Sequence, residues 1–412
     1  MKCKDIVYPA LCLKFCAFIL IIQLFIACCN DAGFVGEKMH ISTADPIRPS
    51  AEFGGAVAVN NDYAIIGASG ENDHRGAAYL FKRNNDQWEQ QQRITSSDGS
   101  NDHDFFGISV ALDNDYAIVG SWWDDKFGYD DGAAYIFRRN GDRWEEEMVL
   151  LPDYNDSNFG ISVSIHGDYA VVGATDHKIF SNTVGAAYLF HRNGNSWEKE
   201  EIFVPSYPIE RSGFGSSVSI FRNYIIVGAE GYEEHGRVFI YEKNGNGWGL
   251  INTFDGESHS HFGRSVSIDG IFAIVGAPFE DNDNGTMSGS VYIYKRVNTQ
   301  FGPQWERDTV LTGSDGTDYD FFGVSVSMNA KSESGGFAIA GAEHDDNEQG
   351  VNAGAAYILW TVNGKWMHCR KLIPAAESDH NLFGSAVSLC DNYAVIGAPY
   401  NNSRSGCVYF YK

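Results

Sequence analysis

Short apolar runs alternate along this chain with Gly, Asn and Asp, and the runs come in fours. Val110 to Leu112 is a short run with small residues between the apolar ones. Tyr116 to Val119 is apolar at every position, as a strand covered on both faces is. Tyr135 to Phe137 is a third run, and Asn140-Gly141 after it is a strong two-residue hairpin signal. Trp144 to Leu150 is rich in Glu and predicts a fourth, outermost strand. These strands are named A to D, from inner to outer.

The unit occurs seven times in register. A Phe-Gly pair opens each copy, at Phe53, Phe106, Phe159, Phe214, Phe262, Phe322 and Phe383. A second Gly closes strand B 14 residues later in six copies and 19 later in the sixth. A third signal such as Gly132-Ala133-Ala134-Tyr135 opens strand C. Trp88, Trp144, Trp197, Trp248, Trp305 and Trp366 recur in strand D and are expected to be structural. A four-stranded antiparallel meander repeated at this period predicts an all-β, seven-bladed β-propeller. The last copy reaches Lys412 right after its strand C, while Met39 to Thr43 precedes Phe53 as Arg93 to Thr95 precedes Phe106. The N-terminal strand is therefore expected to close the last blade and remove an open sheet edge.

These motifs resemble the FG-GAP repeat family, over residues 36–412. The resemblance implies the seven-bladed propeller of integrin α heads and an extracellular role in adhesion or ligand binding. There are departures. Only Pro278 and Pro399 complete the Gly-Ala-Pro form. The A–B turns, such as Asp113-Asn114-Asp115, are too short for the calcium loop of the calcium-binding members. The chain looks closer to a bacterial surface lipoprotein type.

Charge then separates the two ends of the propeller. The D–A and B–C loops share one end, here the upper end. They hold 32 of the 54 acidic residues and six of the 30 Lys and Arg. A net charge of −24 argues against nucleic acid as a partner. Asp and Asn also stabilise turns through their own backbone, which explains part of this pattern but not the scarcity of bases. The upper end is thus expected to present a ligand-binding face: Trp122, Trp123, Asp124, Asp125, Asp130, Asp131, Glu343, Asp345 and Asp346. The tryptophans suit stacking on a sugar or anchoring a partner. Asp98, Asp102 and Asp104, with Asp315, Asp318 and Asp320, are candidate ligands for a divalent cation, calcium by the hardness of carboxylate oxygen. Glu280 to Gly285 has a partial calcium-loop spacing. Lys82, Arg83, Arg138, Arg139, Lys295 and Arg296 gather at the lower end.

No nucleophile elbow, zinc motif or phosphate loop is present. Acids spread over seven loops favour binding an extracellular protein or glycan over catalysis. A propeller hydrolase acting on a glycan or phosphoester at the acidic end is the alternative. Residues 1–27 have the form of a signal peptide, with Lys2, Lys4 and Lys14 before the apolar run Phe15 to Ala27. The run ends at Cys28 in a stretch resembling a bacterial lipobox, so Cys28 is the expected lipidation site and the chain is expected at the cell surface, anchored to the membrane; plain secretion is the alternative. Residues 28–37 form a short linker and 38–412 the propeller.

Overall fold

The computed structural model describes residues 39–41 and 50–412, apart from 98–102, 127, 129–130, 154–156, 246, 301, 333–334, 363, 375–378 and 392. The expected signal peptide, Cys28 and the linker lie outside the described residues, as do Asp98, Asp102 and Asp130. Seven four-stranded antiparallel sheets form the blades of a propeller. Blade two shows the pattern: Ser109–Asp113, Tyr116–Ser121, Ala133–Asn140 and Arg143–Leu150 are its strands A to D. Strand B is buried at all six positions in blade two, which explains its unbroken apolar sequence.

Blade seven is built from both chain regions. Its strands A to C are Ala386–Cys390, Tyr393–Ala398 and Cys407–Tyr411, and Met39–Ile41 is its strand D. Met39 faces Phe410 and Ile41 faces Val408 in an antiparallel ladder. The chain therefore enters this strand at the lower end and runs upward.

The repeat motif is an interface between blades. Each motif phenylalanine is at most 1% exposed. Phe106 meets Tyr135 at 5.3 Å and Phe322 meets Tyr357 at 5.1 Å, both edge to face. The strand-B glycine lies against the backbone carbonyl of the Phe-Gly glycine in the next blade: Gly120 against Gly160, Gly341 against Gly384, Gly397 against Gly54. Serine hydroxyls add ring-wise bonds. Ser109, Ser162, Ser217, Ser265 and Ser325 donate to the same glycine carbonyls at 2.7 to 2.8 Å. The repeat tryptophans are buried, as expected, and meet the strand-B aromatic of the preceding blade, as in Tyr63 with Trp144 at 5.5 Å.

Candidate binding mouth

The loops of the upper end begin with a feature common to all blades. The residue before each motif phenylalanine has a left-handed backbone: Glu52, Phe105, Asn158, Gly213, His261, Phe321 and Leu382. Bulky residues rarely adopt positive φ, so the loop shape is imposed by the ring, while the residue type is free to vary. These positions and the two that follow the strand-B Gly-Ala or Gly-Ser form the mouth of the propeller.

Aromatic rings run along this mouth in two arcs. In one, His261, Phe279, Phe321 and His344 follow each other edge to face at 4.7, 4.9 and 4.8 Å. In the other, His74 packs on Phe105 at 4.7 Å, and Phe105 meets Trp122 and Trp123 at 5.9 and 5.1 Å. The two tryptophans stack in parallel, 5.3 Å apart and 10° between planes. A cavity of about 400 Å³ opens beside these arcs, lined by Glu52, Ser69, Ile108, Glu343, His344, Leu382, Pro399 and Tyr400 among others. Below it the axial channel is lined by strand A of every blade, and Arg264 is the charged side chain among the described residues that line it. Arg264 donates to Glu230 at 2.9 Å, and His261 lies 3.6 Å from the same carboxylate. Burial opposes ionisation of Glu230, but His261 and Arg264 hold its carboxyl below the usual range.

The acids expected on the binding face divide into two sets. Asp124, Asp131 and Asp345 are at most 1% exposed, a correction to their expected place at the surface. For Asp124 and Asp345 the cause is a repeated pin, in which the strand-C tyrosine hydroxyl reaches up to a loop carboxylate. Asp131 holds a position two residues before strand C that is also buried as Ser288 and Ala353 in blades five and six. Tyr135 donates to Asp124 at 2.6 Å, Tyr292 to Glu280 at 2.7 Å, Tyr357 to Asp345 at 2.9 Å and Tyr79 to Glu71 at 2.5 Å. In blade three His177 takes the acid's place, its Nδ1 lying 3.0 Å from Tyr188 Oη. Lys371 completes the blade-six pin, 2.8 Å from Asp345 and 2.7 Å from Asp315. Asp125, Glu343 and Asp346 remain partly or fully exposed.

The blade-six candidate cation ligands are otherwise engaged. Asp315 bonds Lys371 and Tyr357, Asp318 accepts the Thr286 amide at 2.7 Å, and Asp320 accepts the Thr317 amide at 2.6 Å. Asp104 and Asp320 are 2% and 3% exposed, at a loop position that is buried in every blade. In the Glu280 to Gly285 loop, Asp281 accepts the Met287 amide and Asn282 the Asn284 amide. Among the described residues, no group of three His, Cys, Asp or Glu side chains is placed to hold a metal ion.

Asp320 leads to a pH prediction. Burial, with Asp345 as a further unfavourable charge, pushes its carboxyl up to about 6. The folded form thus binds this proton more tightly than the unfolded chain. Its stabilising contribution is complete below the unfolded pKa and is lost as pH rises through 6. In Asp320→Asn this dependence is absent, so wild type is expected to lose about 1 kcal/mol relative to the variant between pH 5 and 7.5. Urea unfolding at both pH values checks it; parallel changes in the two proteins would show that Asp320 does not titrate there.

Three arginines of the lower end are clamps between blades. Arg83, Arg139 and Arg192 form ion pairs with Asp62, Asp115 and Asp168. Their guanidinium groups also lie over Tyr393, Tyr63 and Tyr116 of the preceding blade, 4.8 to 5.2 Å from the ring centres. This reduces the free positive field that the sequence suggests there.

The pattern of the FG-GAP repeat matches residues 40–81, 88–137, 144–190, 252–294, 305–359 and 366–411, which is more than half of the chain. The chain belongs to the FG-GAP repeat family. Its fourth blade, Phe214 to Asp255, lies mostly outside the matched segments yet has the same four strands. No curated protein matches the chain significantly.

Proposed function

We propose that this propeller is an adhesion-type binding module whose mouth engages positively charged groups of an extracellular protein or glycan. The cavity carries the reading. Glu52 and Glu343 line it together with the Tyr400 and His344 rings and the apolar side chains of Ile108, Leu382 and Pro399. Carboxylates beside aromatic faces and a small apolar floor suit an ammonium or guanidinium group with an attached carbon skeleton. Around the mouth Asp73, Glu233, Asp281, Asp283, Asp318, Asp346 and Glu348 are exposed and extend the negative field. Such a field draws cationic partners in from several ångströms. A calcium ion shared between this face and its ligand is the variant of the reading that the acid clusters of the sequence suggest.

The lower-end entry of Met39–Ile41 bears on orientation. A lipid on Cys28 would hold the lower end toward the membrane and leave the mouth facing outward.

Binding of oligolysine and of glucosamine oligomers to cells displaying the chain tests these readings together. Affinity is expected to weaken as salt rises. It is expected to fall about tenfold or more in Glu52→Gln/Glu343→Gln, the loss of two charge-assisted contacts. Adding calcium or chelator reports on the ion, and Cys28→Ser is expected to move the binding activity into the medium. Affinity unchanged in the double variant would sink the mouth as the site.

A further inference from the structure

The upper end carries a second feature that the acidic mouth does not use. The B–C loop of blade three folds into a small hairpin, Lys178–Ile179 paired with Asn182–Thr183. Its two-residue turn is Phe180-Ser181, and Phe180 is 100% exposed with φ of 58°. A two-residue hairpin with positive φ at its first turn position is normally made with Gly there. A bulky aromatic at that place strains the backbone and leaves its whole ring in water. Nothing in the described part of the single chain compensates for that choice.

The hairpin is braced. Val184 and Gly185 donate to the His177 carbonyl at 3.0 Å each, and His177 is 5% exposed. The neighbouring loop is tied to it by the Arg211 amide, which donates to the Thr183 carbonyl at 2.6 Å. That loop displays Tyr207, 72% exposed, and Val204, 37% exposed, with the Tyr207 carbonyl accepting from the Tyr232 hydroxyl. Exposed Lys178 and Arg211 flank the apolar tip, and they are two of the six bases of the upper end.

We propose that this finger seats in the mouth of a second copy of the chain. The inference rests on the mouth being a site for cationic groups. Charge complementarity selects the occupant: Lys178 and Arg211 beside Phe180 match Glu52 and Glu343 around an apolar floor in a cavity of about 400 Å³, room for one aromatic side chain. Symmetry then makes the contact reciprocal. Finger and mouth lie on the same end of the molecule, the finger in blade three and the cavity at blades six, seven, one and two. A two-fold axis between two facing upper ends, placed midway between finger and mouth, brings both fingers to both mouths at once and closes the pair. The remaining acids of the two faces repel each other, so salt strengthens this pairing by screening. That dependence is opposite to the one expected for oligolysine. A mouth filled by a finger is closed to ligand, so pairing and ligand binding exclude each other.

Sedimentation equilibrium of the purified chain, over a concentration series at low and high salt, tests the proposal. A dimer that strengthens with salt is expected. Phe180→Gly should weaken it about tenfold or more, because one buried aromatic is lost at each of two contacts. The same variant should melt no lower than wild type, since Gly relieves the turn, and should still bind oligolysine. Lys178→Glu and Glu343→Lys should each weaken the dimer, and the two together should restore it. A monomer under all conditions, or a dimer indifferent to Phe180→Gly, overturns the proposal. Loss of oligolysine binding in Glu343→Lys together with a strictly monomeric wild type would overturn the pairing while leaving the mouth reading standing.

Discussion

Gly120→Val is expected to prevent folding of the propeller or to destabilise it by more than about 4 kcal/mol, at the severe end for single substitutions. A β-carbon at Gly120 would overlap the carbonyl oxygen of Gly160 in the next blade and the Ser109 hydroxyl in its own. Neither neighbour has room to yield. Gly160 belongs to the Phe-Gly pair that anchors buried Phe159, and the Ser109 hydroxyl already donates to the same carbonyl at 2.7 Å. Moving them apart means moving two blades apart and opening the apolar cluster between them. Gly141→Ala is the control. Gly141 lies in a hairpin turn at φ of 64°, with open space where a β-carbon would stand. Only the left-handed backbone is penalised there, at about 1 kcal/mol. Thermal unfolding of the soluble fractions, with the yield of each variant, checks the contrast; equal losses would mean that the close approach of blades is not what Gly120 provides.

Removing the chain through Ile41 is expected to destabilise the whole ring rather than one blade. Three residues are lost from the ladder with Val408, Tyr409 and Phe410. Each ladder bond contributes about 1 kcal/mol net, and the buried parts of Met39 and Ile41 add an apolar term of similar size. The total expected loss is about 3 kcal/mol or more. Met39 also packs at the junction of blades seven and one, where its sulfur is 3.4 Å from the Trp88 amide and Trp88 stacks on Phe410 at 4.8 Å. The exposed edge of Cys407–Tyr411 becomes a site for pairing with other chains, so aggregation on heating is expected as well. Differential scanning calorimetry and light scattering measure both effects. An unchanged melting temperature with no added scattering would mean that the ring does not depend on this strand.

The seven copies do not share every contact. Blade one has Ala56 and Ala58 where most copies have Ser, so its contact with blade two lacks the serine bond to the glycine carbonyl. It also lacks the second serine bond seen elsewhere, in which a hydroxyl such as that of Ser164 accepts from the next blade's Ile220 amide at 3.1 Å. At the outer edge of the same contact Gln92 pairs with the backbone of Trp144 in both directions at 2.9 Å, at the position where Met39, Met148 and Asn252 meet the equivalent tryptophan amides of other blades. The ring is held by a few repeated devices, and not every blade contact uses all of them.

The fold was legible because the repeat is imposed by close backbone contacts that tolerate few residues. Gly120 and its six equivalents must be Gly, Phe106 and its equivalents must fill the space above strand C, and those demands write themselves into the sequence at fixed spacing. Strand closure was legible for a similar reason: a missing strand D at one end and a spare one at the other leave a single way to pair every edge. The site was legible only in outline. The acid count of the upper loops placed the negative face, yet it could not separate Asp124 and Asp345, buried under Tyr135 and Tyr357, from exposed Asp346. That depends on whether a loop folds back over the tyrosine hydroxyl of its own strand C. Phe105, His261 and Phe321 stand one residue before a motif position, and their shared offset was a signal that could have been used. Each of them meets Trp123, Phe279 or His344 of its own blade, but the contacts that join these pairs into arcs, Phe279 with Phe321 and His74 with Phe105, form only where neighbouring blades pack side by side. Phe180 looked like any loop aromatic in sequence. Only the tertiary structure shows its ring standing fully in water, because its loop pairs with itself and carries the ring outward.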